Sequence, residues 1–187
     1  MQEDIKNAIN VLRAGGVILY PTDTVWGLGC DATNEKAVKR IFEIKKRVDA
    51  KAMLVLVDNE AKLQAYVDVI PDMAWDLIEL TTKPLTIIYP DAKNLAANLI
   101  ADDQSIGIRV TNEEFSKTLC AHFRKPIVST SANVSGEPTP GIFNEISDEI
   151  IRAVDYVVTY AQDSTERNKP SSIIKLGKGN LIQIIRE

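Results

Sequence analysis

Residues 17–31, VILYPTDTVWGLGCD, restrict the folds open to this chain more than any other stretch. The apolar run Val17-Ile18-Leu19-Tyr20 follows Gly15-Gly16 and is too short for a helix, so it reads as a buried strand. Pro21 has no N–H for a strand ladder and stops it. Thr22, Asp23 and Thr24 then place three small polar side chains at a strand's carboxyl end, where open α/β sheets bind ligands. Gly27 and Gly29 leave room for backbone to approach a ligand closely. Taken alone, the stretch fits a turn without chemistry equally well, because turn residues cluster in every loop.

The remaining periodicities fill in a domain around that strand. Ile5, Ala8, Ile9 and Leu12 form a helical stripe within residues 2–13, closed by Gly15 as a glycine cap. Asn34 is placed to cap a helix whose apolar side carries Ala37, Val38, Ile41, Phe42 and Ile44. Further strands are expected at 53–57, 85–89, 106–110, 127–130, 156–160, 172–176 and 181–185, and helical patterns at 61–67, 73–80, 115–123 and 142–154. Residues 91–103 read as a loop with a short helix, GKGN at 177–180 as a hairpin turn, and the polar segment 161–170 as a mobile flap. Helices and strands alternate early and strands cluster late. That predicts an α/β fold: a single domain over residues 1–187, with a twisted mixed open sheet and helices on its faces.

Composition narrows the function classes. No apolar run reaches membrane-spanning length, and the opening MQEDIKNAIN lacks a signal peptide's apolar core. Cys30 and Cys120 are too few for a disulfide framework, so a cytoplasmic location is expected. With 22 Lys and Arg against 26 Asp and Glu, the net charge of −4 opposes tight binding to nucleic acid. There is no GxxxxGK(S/T) phosphate loop and no Cys/His cluster, so no protein-bound metal is predicted. The single histidine, His122, lies in a helical pattern and reads as a surface or packing residue.

What remains is a set of cations, Lys45, Arg47, Arg109 and Arg186, with neutral hydrogen-bonding groups, Thr22, Ser131, Asn133 and Ser171. Such a mixture suits a polyphosphate and a carboxylate together. Arg109 interrupts the apolar strand IGIRV, so it either snorkels to an edge or faces a site. Lys45 and Arg47 can act together only if their helix ends beside them; read alone, they also fit a solvated basic last turn.

These residues resemble a known family. YPTDTVWGLG is similar to the opening motif of the YrdC-like family, the threonylcarbamoyl-adenylate synthases. The family's K-x-R pair matches Lys45-Lys46-Arg47, its S-x-N matches Ser131-Ala132-Asn133, its S-T-hydrophobic stretch matches Ser171-Ser172-Ile173-Ile174, and its late arginine matches Arg186. The pieces occur in family order over nearly the whole chain. The chain departs from the family pattern where Arg-Pro becomes Arg47-Val48 and Pro-Leu becomes Ala52-Met53. Leu56 stands where some members have histidine, and Pro-Gly-Pro-Leu-Thr becomes Thr82-Lys83-Pro84-Leu85-Thr86. These departures bear on the amino-acid contacts more than on the nucleotide contacts.

The resemblance implies synthesis of threonylcarbamoyl-AMP and pyrophosphate from L-threonine, bicarbonate and ATP, with Mg²⁺ carried by the nucleotide. It implies catalytic roles for Lys45 and Arg47, ATP contacts from Lys45, Arg47, Ser131, Asn133 and Arg186, and threonine contacts from Thr22, Arg109 and Ser171. It also implies the short form of the family and a product passed to tRNA-modification proteins, with weak or indirect tRNA contact. The competing expectations are a double-stranded-RNA or tRNA binding module, and a paralogue with the fold but without the synthase activity.

Overall fold

The computed structural model of the chain describes residues 1–46, 53–177 and 181–187. The predicted stripe is buried on one side of α1 (Gln2–Arg13). Gly15 ends the helix at φ +79°, a left-handed turn that an L side chain rarely adopts. Its N–H donates to Leu12 O at 3.0 Å, and that of Gly16 to Val11 O at 2.9 Å. β1 (Ile18–Tyr20) follows at once. A second strand, β2 (Gly27–Gly29), turns back antiparallel to it, with Leu19 opposite Leu28.

β2 was not expected, and it changes the meaning of one glycine. A Cβ on Gly29 would come within 2.6 Å of the Tyr20 ring and 3.0 Å of Val128 O. Gly29 therefore makes room for Tyr20, whose hydroxyl donates to Val128 O at 3.2 Å, rather than for a ligand.

Asn34 caps α2 (Glu35–Ile44) as expected, its side chain accepting from the N–H groups of Lys36 and Ala37. Seven further strands are β3 (Leu54–Val57), β4 (Leu85–Tyr89), β5 (Ile106–Val110), β6 (Ile127–Ser131), β7 (Tyr156–Val157), β8 (Ser172–Leu176) and β9 (Ile182–Arg186). Among the described residues they form one mixed sheet in the order β7-β1-β2-β6-β3-β5-β4-β8-β9. The β1/β7, β3/β5 and β4/β8 pairs are parallel and the others antiparallel. The remaining helices are α3 (Asp72–Leu80), α4 (Glu114–Phe123) and α5 (Asp148–Ala153). α1 and α4 pack together over β1, β3 and β7, around a core that includes Ile18, Leu19, Tyr20, Ile87 and Phe115. Among the described residues no helix is long and apolar enough to cross a membrane.

Three expectations are corrected. The helix expected over 142–154 is a 3₁₀ turn, Phe143–Glu145, and then α5. Ser147 breaks it by adopting an extended backbone and accepting the Ile150 N–H, an N-cap that starts a new helix. The strand expected over 156–160 stops after two residues, because the N–H groups of Thr159 and Tyr160 donate to the Asp4 carboxylate instead of a neighbouring strand. The pattern at 61–67 is a 3₁₀ helix, Glu60–Ala65. Of the GKGN turn, Gly177 donates to Leu181 O at 2.8 Å, closing the β8/β9 hairpin; residues 178–180 lie outside the described residues.

Candidate functional site

A cavity of about 960 Å³ opens over one face of the sheet. Alternation along the strands decides which side chains reach it. Leu54 on β3, Gly107 on β5 and Ile88 on β4 form a shelf that is continued by Lys175 on β8, each paired with the next across the sheet. A second row runs Arg109, Thr86, Ile173, Arg186 over β5, β4, β8 and β9.

Arg186 enters this row through a bulge. Ile174 pairs with Ile184 and Ile173 with Arg186, so Ile185 is the extra residue. Strict alternation from Gln183, the partner of Lys175, would turn Arg186 to the other face; the bulge returns it to the cavity. Arg186 Nε donates to Ser171 O at 2.8 Å, and the Ser171 hydroxyl lies 2.8 Å from that of Thr86. Loss of solvent, and secondarily the Arg109 charge, lowers the Arg186 pKa. Two guanidinium groups therefore act on one cavity.

Lys45 is the C-cap of α2 and is only 2% exposed. Its ammonium donates to Ser131 O at 2.6 Å and Asn133 O at 2.7 Å, and its own carbonyl accepts the Ser135 N–H at 3.0 Å. These bonds staple the end of α2 to the loop after β6. The solvated basic turn weighed from sequence thus fails for Lys45. It describes Lys46, which is exposed and pairs with Glu149 at 2.8 Å. Arg47 lies outside the described residues. In the stapled loop, Asn133 Nδ2 donates to Glu137 O at 2.8 Å and Val134 O at 3.1 Å, while its Oδ1 is buried without a protein donor.

The loop between β1 and β2 supplies the opposite wall. The Thr22 hydroxyl donates to Val25 O at 2.8 Å and accepts the Thr24 N–H at 3.2 Å, so Thr22 closes the turn from within. Of the two, Thr24 lines the cavity and Thr22 does not. Arg109, 3% exposed, brings Nη2 to 2.9 Å from Asp23 Oδ1 and donates to Thr24 Oγ1 at 3.4 Å. The Asp23 contact is close but not aligned as a hydrogen bond, and Arg109 Nε is buried with no acceptor. Burial raises the Asp23 pKa against the opposing pull of Arg109.

The structure thus brings together Lys45, Arg109, Ser131, Asn133, Ser171 and Arg186 of the expected set, and places Thr22 behind Thr24. Sequence reasoning missed Thr86, which faces the cavity through its register with Arg109, a long-range pairing that no local pattern reveals. It also missed Lys175, which pairs with Asp103 at 2.5 Å on the cavity margin; that lysine, followed by Ser105, lowers the Asp103 pKa to about 2. His122 is exposed and away from the cavity. In the segment expected as a flap, residues 163–170 are exposed, Arg167 pairs with Glu145, and of its residues Pro170 lines the cavity.

With this geometry in hand, likeness to known proteins is informative. The Sua5/YciO/YrdC family model, described as "Telomere recombination", matches residues 10–187. A Pseudoalteromonas translucida protein named threonylcarbamoyl-AMP synthase is 39% identical over 177 residues, covering 93% of each chain. The structure of Escherichia coli YciO superposes with a TM-score of 0.86 at 27% identity, over 100% of this chain and 90% of that one. P. abyssi Sua5 complexed with L-threonine superposes with a TM-score of 0.82 at 26% identity, over 92% of this chain. This chain spans about half of that Sua5 chain, 50% of its length.

Proposed function

The chain belongs to the Sua5/YciO/YrdC family, and from that membership we propose that it is a threonylcarbamoyl-AMP synthase acting as a nucleotidyltransferase. Its substrates on this reading are L-threonine, bicarbonate and ATP. The observation that carries the proposal is the single row Arg109–Thr86–Ile173–Arg186, which aims two guanidinium groups into one cavity beside the Lys45-stapled loop. A carboxylate and a polyphosphate held side by side need two such centres.

The reaction asks for alignment rather than a protein nucleophile. The threonine amine forms a C–N bond to the bicarbonate carbon, and a C–O bond breaks to release water, which carries off the amine proton and leaves a carbamate. A carbamate oxygen attacks the α-phosphorus of ATP, and the bond to the β-phosphate oxygen breaks to release pyrophosphate. We assign Arg109 to the threonine carboxylate, with the Thr24 hydroxyl, held by Thr22, and the Ser171 hydroxyl as neutral partners. Arg186, Lys45 and Arg47 are assigned to the phosphates, where their charge offsets that developing at phosphorus. Ser131 and the open Asn133 Oδ1 are left for nucleotide or carbamate donors. Apart from Asp102 and Asp103 at its margin, the cavity is lined by cations and neutral groups, which fits Mg²⁺ carried by the nucleotide's own phosphates, since this ion binds through few protein ligands and substrate oxygens. The product would serve tRNA modification through partner proteins.

Pyrophosphate release should require ATP, bicarbonate and L-threonine together. Equal release with L-serine, or with no amino acid, would contradict the substrate assignment.

A further inference from the structure

Gly107 is a glycine that the fold itself does not require. It lies inside β5, opposite Leu54 of β3 on one side and Ile88 of β4 on the other, with no register shift in either pairing. Glycine weakens a strand interior and marks a bulge, a bend or a close approach there. At Gly29 the approach is the protein's own, since a Cβ would meet the Tyr20 ring at 2.6 Å. At Gly107 a Cβ would meet nothing closer than Leu54 Cβ and Thr86 Cγ2, both at an ordinary 3.4 Å, and its φ is not left-handed. The protein leaves room for a side chain that the sequence does not supply.

The missing side chain bares the cavity floor. Leu54, Gly107 and Ile88 lie in one row, each half-buried between two buried neighbours along its strand, and all three line the cavity. The row spans two strand spacings, about 10 Å. Met53, Leu99 and Ile106 line the same end, and Lys175, paired with Asp103, closes its far side. This surface offers nothing to offset the desolvation of a carboxylate or a phosphate, and the one methyl of threonine would cover little of it. The Arg109–Thr86 row lies two residues further along the strands, about 7 Å away. The cavity is therefore apolar and flat at one end and cationic at the other, as a nucleotide is at its base and its phosphates.

We propose that the shelf receives the adenine ring of ATP, and that Gly107 is a specificity-determining residue because its bare backbone lets the ring lie flat between Leu54 and Ile88. This rests on the proposed function, which makes ATP a substrate. The ring covers apolar surface that is otherwise open to water, and the phosphates run toward Arg186 and the loop stapled by Lys45.

The test uses the full chain and two variants, with calorimetric binding of ATP and of inorganic tripolyphosphate, steady-state kinetics and thermal melts. Gly107→Val fills the floor and should weaken ATP binding by about tenfold or more, and Gly107→Ala should weaken it less. Tripolyphosphate has no ring, so its affinity should not change. The KM for ATP should rise, while that for L-threonine at saturating ATP should stay near the parent value. Neither variant should melt below the parent, because glycine is the poorer strand residue. Gly107→Val binding ATP as the parent does would overturn the inference. So would an equal loss for tripolyphosphate, a rise in the KM for L-threonine in place of that for ATP, or both variants melting below the parent. A parent protein that binds neither ATP nor tripolyphosphate would defeat the proposed function, and the inference with it.

Discussion

Lys45 shows how one residue can serve structure and chemistry together. Its position at the end of an amphipathic helix is what a favourable helix-dipole interaction selects, and beyond that and its match to the family's K-x-R pair the sequence shows nothing of its structural part. The fold then buries it and spends two of the ammonium's three donors on Ser131 O and Asn133 O. A substitution there therefore has two effects. Lys45→Ala should reduce turnover by about a hundredfold or more, as loss of a charged contact to a transition state does. It should also lower the melting temperature, because two buried carbonyls lose their donor. Lys46→Ala, which touches only the exposed pair with Glu149, should leave both nearly unchanged. Thermal melts and initial rates on the two variants decide this. A fully stable Lys45→Ala protein would show that the staple is not needed. Arg109 was legible as an anomaly, a cation inside an apolar strand, but Asp23 was not, because nothing local to PTDT names a partner 86 residues away.

At the scale of elements, what was legible followed from periodicity, and what was not followed from tertiary contacts. α1, α2, β4, β5 and α4 announce themselves by repeating apolar positions and caps. β2 does not, since GLG carries a single apolar side chain and is a strand only because β1 and β6 lie on either side of it. The bulge at Ile185 is equally silent in sequence, although it decides which face Arg186 occupies. β7 is cut short by Asp4, whose carboxylate accepts from the Tyr156 hydroxyl at 2.7 Å and from the Thr159 and Tyr160 N–H groups. Burial works to raise the Asp4 pKa, but these bonds outweigh it and the net shift is downward from 3.8. A carboxyl held lower in the folded than in the unfolded state stabilises the fold above its ordinary pKa. That contribution fades as pH falls through the lower folded value. Asp4→Asn should therefore be less stable than the parent at neutral pH, and the two stability curves should converge below about pH 4. Parallel curves across that range in a pH series of thermal melts would remove Asp4 from the docking of α1 on β7.

For the whole molecule, the order of the motifs along the chain is explained by the order of strands across the sheet. Residues as distant as Lys45 and Asn133, or Thr86 and Ser171, meet because β6 lies between β2 and β3 and because β8 pairs with β4. The mixed α/β character was legible from alternating patterns; the strand order was not, since pairing depends on long-range register. The acidic balance, 22 basic against 26 acidic residues, gives no broad field to attract phosphate backbones, which favours a small-molecule reaction over an RNA-binding module. The most direct measurement supplies ¹³C-bicarbonate with ATP and L-threonine and follows the nucleotide product by mass spectrometry in the absence of RNA. The account predicts an adduct of AMP and threonine that carries the label in one carbon, formed in step with pyrophosphate. ATP turnover that yields no labelled adduct, or an adduct that forms only when tRNA is added, would contradict it.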